Sequence, residues 1–144
     1  MATRRRNLKL FLDSSVLFTA VNSPIGGSAK LFTFTDIKLI VSNIVLQEVE
    51  KNVRTKLHDY HLDRFFMLVD KLSIIDQIPN DEQILKARKV IVEKDAVILA
   101  EAKDSDCDYL ITLDKKDFLQ EKVFDFIKPK KILTPKMFFE TQKL

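Results

Sequence analysis

Glycine and proline are scarce in this sequence, two and four among 144 residues, which excludes a linker-rich or disordered chain. A single cysteine, Cys107, rules out any internal disulfide and fits a reducing, cytoplasmic setting. Beside a strand, a lone cysteine reads as a small apolar filler. The two histidines, His58 and His61, stand near a helix junction and read as surface residues, so no His/Cys ligand cluster forms. No apolar run is long enough to span a bilayer. The stretch after the basic start MATRRR is too short for a signal peptide and reads better as a strand. A strong excess of one charge is missing too. The net charge of +3 permits a polyanionic partner without demanding one. The basic runs Arg4, Arg5, Arg6 and Lys128, Lys130, Lys131 each read, taken alone, as solvated segments.

What is present is an ordinary globular mixture, 46% apolar and 31% charged, in a length that suits one domain with one substantial core. The expectation is a single domain over residues 1–144 with a basic tail at 1–7. Leu8 to Leu12 reads as a first strand, followed by a helix from Val16 to about Val21 capped by Ser14 or Ser15. NSPIGG, at 22–27, must be a loop, and Ser28 can cap a helix from Ala29 to about Thr35. Leu39 to Val41 reads as a strand, and Ser42 or Asn43 starts a helix to about Leu57. Another helix, about His61 to Lys71, leads to Ile74-Ile75 as a short strand. Asn80 or Asp81 opens a helix through Val92, and the next begins at Asp95. Tyr109 to Ile111 is a strand buried on both faces, followed by a short turn. Val123 to Ile127 and Ile132-Leu133 read as one or two further strands. Thr134-Pro135 resembles a cap and first position for a last helix, Lys136 to Glu140. Short apolar strands alternating with helices imply a three-layer α/β/α sandwich with a mostly parallel sheet.

The chemistry lies in the acids. Asp13 closes the first strand and Asp114 closes the Tyr109 strand, so both fall at carboxyl ends, where open α/β sheets place their crevice. Taken singly, each is compatible with a cap or turn role; taken together, they can converge. At about 100° per residue, Asp95 lies in the middle of the face carrying Ile91, Ile98, Leu99 and Ala102. A buried carboxylate there needs either a cap role or a cation. Glu48 and Glu50 flank the apolar face of the helix after Ser42, and periodicity leaves the choice between them open. Carboxylates gathered in one cleft require a counter-charge, and oxygen-only ligands select Mg²⁺ or Mn²⁺ rather than zinc.

The segments FLDSSVLFTA, VSNIVLQEVEKNV, KDAVILAEAKDSDCDYLITLDKKDF and KILTPKMFF resemble a PIN domain, in order, from Leu10 to Phe139. The paired-glycine loop followed by a helix looks like the branch grouped with toxin–antitoxin proteins. This resemblance implies an α/β/α fold and a Mg²⁺- or Mn²⁺-dependent endoribonuclease acting on single-stranded RNA, leaving 5′-phosphate and 3′-hydroxyl ends. By position, Asp13, Glu48, Asp95 and Asp114 match the family's four acids. Ser15 and Thr112 match its hydroxyl positions, and Asp117 is either an auxiliary acid or a turn residue. The resemblance carries no fixed substrate-binding signature. Lys115 and Lys116, flanking Asp114, read either as RNA-backbone contacts or as solvated turn lysines. An antitoxin partner and a homodimer are the expected assemblies. The apolar helix with Leu62, Phe65, Phe66, Leu68 and Val69 is either an interface or a core helix. A non-catalytic RNA- or partner-binding module is the competing reading. A phosphoacceptor receiver is disfavoured, because Asp13-Ser14-Ser15 lacks the acidic pair it needs.

Overall fold

The computed structural model describes residues 7–142; the basic run Arg4, Arg5 and Arg6 lies outside them. Five strands form one sheet: β1 (Leu8–Leu12), β2 (Ile37–Ser42), β3 (Ser73–Ile75), β4 (Tyr109–Ile111) and β5 (Lys131–Leu133). Their order is β3-β2-β1-β4-β5, and every pairing is parallel. Leu10, Phe11 and Leu12 are all fully buried. Successive strand residues point to opposite faces, so β1 is covered on both.

The helices are α1 (Ser14–Asn22), α2 (Gly27–Leu31), α3 (Asn43–Lys56), α4 (Tyr60–Val69), α5 (Asp81–Arg88), α6 (Glu93–Asp104), α7 (Lys115–Phe118), α8 (Glu121–Ile127) and α9 (Pro135–Gln142). α1, α3 and α4 pack on one another, whereas α6 packs on α5 and α8. Right-handed crossovers place these two groups on opposite faces of the sheet, which gives the three layers. Several helix starts follow directly from side chains. Ser42 Oγ accepts from Val45 N at 3.2 Å, Asn80 Oδ1 from Gln83 N at 2.8 Å, and Thr134 Oγ1 from Met137 N at 3.1 Å.

The structure departs from the sequence expectations in a few places. Ser14 and Ser15 lie inside α1, and the cap position belongs to Asp13. α2 is shorter than expected and is preceded by Gly26, whose φ of 107° suits glycine alone. α5 stops at Arg88 instead of Val92, and α6 begins at Glu93, so Asp95 lies in its first turn and is not its cap. The segment after β4 forms α7 where a turn was expected. Val123 to Ile127 is helical: Val123 and Ile127, one turn apart, carry the burial.

The chain runs outward from β1 through β2 to β3 and then returns to β4 on the other side of β1. That reversal puts a topological switch point between β1 and β4, where a ligand crevice belongs. Leu12 pairs with Ile111, so Asp13 and Thr112 leave the sheet side by side.

Candidate functional site

At the switch point lies a cleft of about 360 Å³, lined by Asp13, Ser14, Ser15, Phe18, Glu48, Asn52, Lys94, Asp95 and Asp114. All four acids singled out from the sequence reach it. They come from the end of β1, the second turn of α3, the first turn of α6 and the segment after β4. Glu50 does not line it; that residue pairs instead with Arg54 one turn along α3, at 3.0 Å.

Asp13 occupies the α1 cap position, yet its side chain caps nothing. Its Oδ2 accepts from Ser15 Oγ at 2.7 Å and from Thr112 Oγ1 at 2.8 Å. Each hydroxyl in turn accepts from the chain after β4: Ser15 Oγ from Leu113 N at 3.1 Å, and Thr112 Oγ1 from Asp114 N at 3.0 Å. Among the described residues no donor reaches Oδ1, the atom this 3%-exposed carboxylate leaves for a ligand. Two hydroxyls thus fix one acid and tie it to the loop that carries another.

Asp114 caps α7, accepting from Asp117 N at 3.0 Å. Asp117 thus lies in the first turn of α7, its backbone N–H donating to the cap. Asp95, Asp114 and Asp117 each bring one carboxylate oxygen to a common spot, within 4.8 Å of one another. Asp13, drawn toward β4 by its hydroxyls, lines the same cleft outside that group of three. Glu48 is exposed and accepts from Ser14 Oγ at 3.2 Å.

Electrostatics shows what the cluster lacks. Burial, with the neighbouring Asp13 and Asp114 charges adding to it, pushes the Asp95 carboxyl up to about 6, against the pull of Lys94. Lys94 Nζ lies 3.4 Å from Asp95 Oδ2. Burial works against its charge, but attraction from Asp95, Asp114 and Asp117 outweighs this and raises its pKa. Gathered carboxylates disfavour one another's charge, and three or more oxygen donors could hold a hard divalent ion. Sequence reasoning missed Lys94, Asn52, Ser14 and Phe18. Asn52 had a usable signal, since it lies one helical turn from Glu48; Lys94 had only its adjacency to Asp95. Lys115 and Lys116 are exposed on α7. Lys115 lines a separate cavity with Gly26 and Gly27, and neither lysine lines the acidic cleft.

A family model described as PIN domain matches residues 10–123. No curated protein matches the chain. Among solved structures, the fold is similar to VapBC2 from Rickettsia felis, bound to a promoter DNA fragment: 17% identity, 88% of this chain and 98% of that chain covered, TM-score 0.69. DNA-bound VapBC from Salmonella typhimurium is similar at 17% identity, covering 89% and 98%, with a TM-score of 0.68. FitAcB from Neisseria gonorrhoeae is similar at 18% identity, covering 88% and 97%, with a TM-score of 0.57. At such identities the likeness is one of fold. Among the described residues no helix is long and apolar enough to cross a membrane.

Proposed function

Because the chain belongs to the PIN domain family, we propose that its acidic cleft is the active site of an endoribonuclease. It would cleave single-stranded RNA with Mg²⁺ or Mn²⁺, in the cytoplasm, as the toxin of a toxin–antitoxin pair. The observation that carries this reading is the convergence of Asp95, Asp114 and Asp117 within 4.8 Å at the sheet's switch point. Likeness in fold to VapBC and FitAcB chains supports an antitoxin protein as partner. A homodimer belongs to the same reading. The outer side of α4, where Phe66 and Met67 are half exposed, offers it an apolar surface.

In this proposal Asp13, Asp95 and Asp114 hold the ion, and Asp117 joins them. Bound there, the ion lowers the pKa of a water and neutralises charge on a phosphoryl oxygen. Ser15 and Thr112 keep Asp13 in one rotamer, so its free oxygen meets the ligand without reorganisation. Glu48, steadied by Ser14, completes the acidic wall or orients the attacking water. Lys115 and Lys116 meet the RNA backbone from the rim, adding affinity without sequence choice.

The test is cleavage of a single-stranded RNA with Mn²⁺ by the wild type, Asp13→Asn and Asp95→Asn. The wild type should yield 5′-phosphate and 3′-hydroxyl ends, and both variants should lose at least about a hundredfold in rate. Equal cleavage by all three would remove the cleft from the reaction. The competing reading, a non-catalytic RNA- or partner-binding module, is favoured by the Lys94 cation lying on Asp95. It predicts RNA binding that survives both substitutions and no turnover with any divalent ion.

A further inference from the structure

A second cavity, of about 260 Å³, adjoins the acidic cleft; Arg88, Lys89, Asp117, Gln120 and Lys122 line it together with the α5–α6 turn. Asp117 links the two places. It stands in this cavity's wall, and its carboxylate brings an oxygen within 4.8 Å of those of Asp95 and Asp114, which line the cleft. The two sites therefore meet at one side chain, with opposite charge on either side of it.

The three cations are not spent on structure. Arg88 Nη2 lies 3.1 Å from Glu93 Oε2, but both side chains are largely exposed, at 44% and 75%. Such a pair is weak and exchangeable. Among the described residues Lys89 and Lys122 enter no ion pair. Gln120 is anchored, because its Nε2 donates to Lys116 O at 2.7 Å. The start of α6 forms part of the wall through Val92 and carries no side-chain cap, which adds a mild preference for an anion. A solvated basic face would account for scattered lysines. It does not account for three cations around a concavity that opens beside the acids. A polyanion approaching that acidic cleft is repelled unless cations receive its neighbouring phosphate.

We propose that this cavity is a phosphate subsite, in which Arg88, Lys89 and Lys122 hold the RNA phosphate next to the one in the acidic cleft. The identity of the strand as RNA rests on the nuclease reading; the phosphate chemistry does not. The probe is a fluorescently labelled 12-nucleotide oligouridylate, its binding followed by anisotropy without divalent metal over a range of salt. Lys89→Ala/Lys122→Ala is compared with the wild type and with a charge-matched control, Lys38→Ala/Lys131→Ala. The control positions lie at the amino ends of β2 and β5, the edge of the sheet away from the acids.

The cavity variant should bind about tenfold more weakly. The slope of log affinity against log salt should become shallower by up to about 0.7, the value for one lost phosphate contact on a single strand. Lys89→Arg/Lys122→Arg should bind like the wild type. An unchanged slope in the alanine pair, or an equal loss in the control, overturns the subsite. Cleavage with Mn²⁺ by the same proteins separates this proposal from the nuclease reading. Weakened binding with no wild-type cleavage removes the nuclease and leaves the subsite. Wild-type cleavage with KM and salt slope unchanged in the cavity variant removes the subsite and leaves the nuclease.

Discussion

Asp95 is pulled two ways. A carboxylate in the first turn of a helix is favoured by the helix dipole, yet burial and two neighbouring acids push its pKa up to about 6. Burial wins, and Lys94 only moderates it. As Lys94 is 73% exposed, its hold on Asp95 is worth at most about 1 kcal/mol. In the proposed site Lys94 competes with the metal, so Lys94→Ala should tighten Mn²⁺ binding by roughly two- to fivefold. Isothermal titration measures this directly, and weaker binding in the variant would make Lys94 a partner of the site and not its competitor. Asp13 raises a different issue, since its orientation is held by hydroxyls alone. Ser15→Ala combined with Thr112→Val removes both donors and should cost about 10–100-fold in metal affinity or rate. Asp13 itself is not substituted, and circular dichroism should show the fold retained. Wild-type affinity and rate in that variant would mean the hydroxyls merely fill space.

The elements differ in how plainly the sequence announces them. LKLFL was legible as β1 because dense apolar residues end abruptly at Asp13; Thr134 was legible as a cap through its own chemistry, and Ser42 and Asn80 each as one of two adjacent candidates. VFDFI was not. Five residues with an apolar one at each end satisfy a buried strand and a helical turn equally, and tertiary packing against α6 and β5 decides for α8. Asp13, Asp95 and Asp114 stood out by strand end and helix phase, and Glu48 was chosen over Glu50 through the family resemblance alone. The convergence of Asp117, by contrast, depended on α7, which the residues LDKKDF do not specify by periodicity. Lys94 had no signal beyond its place next to Asp95, and Asn52 only its spacing from Glu48. Glu101 on α6 was likewise silent in the sequence. It is 3% exposed, its Oε1 has no hydrogen-bond partner, and burial raises its pKa, opposed by the Ser42 hydroxyl. Ser42 also caps α3, the helix that carries Glu48. A carboxyl raised in the folded state binds its proton more tightly there than in the unfolded chain. Its contribution is therefore full at low pH and is lost as pH rises from about 4.5, its ordinary value, through the folded pKa. Glu101→Gln should be more stable than the wild type at pH 8 and should converge with it near pH 4. Urea midpoints across that range measure the difference, and parallel profiles would show that Glu101 titrates as an exposed acid.

On the scale of the molecule, the acidic site has no local precursor. Its acids are drawn from positions 13, 48, 95 and 114–117, separated by most of the chain and joined only when β4 returns to lie beside β1. The unfolded chain cannot present them together, so a divalent ion bound in the cleft stabilises the folded state alone. That linkage has a definite size. At a free concentration one hundred times its dissociation constant, a single-site ligand adds about 2.7 kcal/mol. A chain of this size gains roughly 2–4 °C in melting temperature for each kcal/mol, so saturating Mn²⁺ should raise Tm by about 5–10 °C. Asp95→Asn should abolish most of that rise. It should also melt above the wild type without metal at pH 8, because it removes a charge that burial and two neighbouring acids oppose. Thermal scans of both proteins with Mn²⁺, with Mg²⁺ and with chelator make the comparison. An equal metal-induced rise in the two would place the ion elsewhere on the molecule. No rise in either would leave the acids balanced by Lys94 alone, as the non-catalytic reading requires.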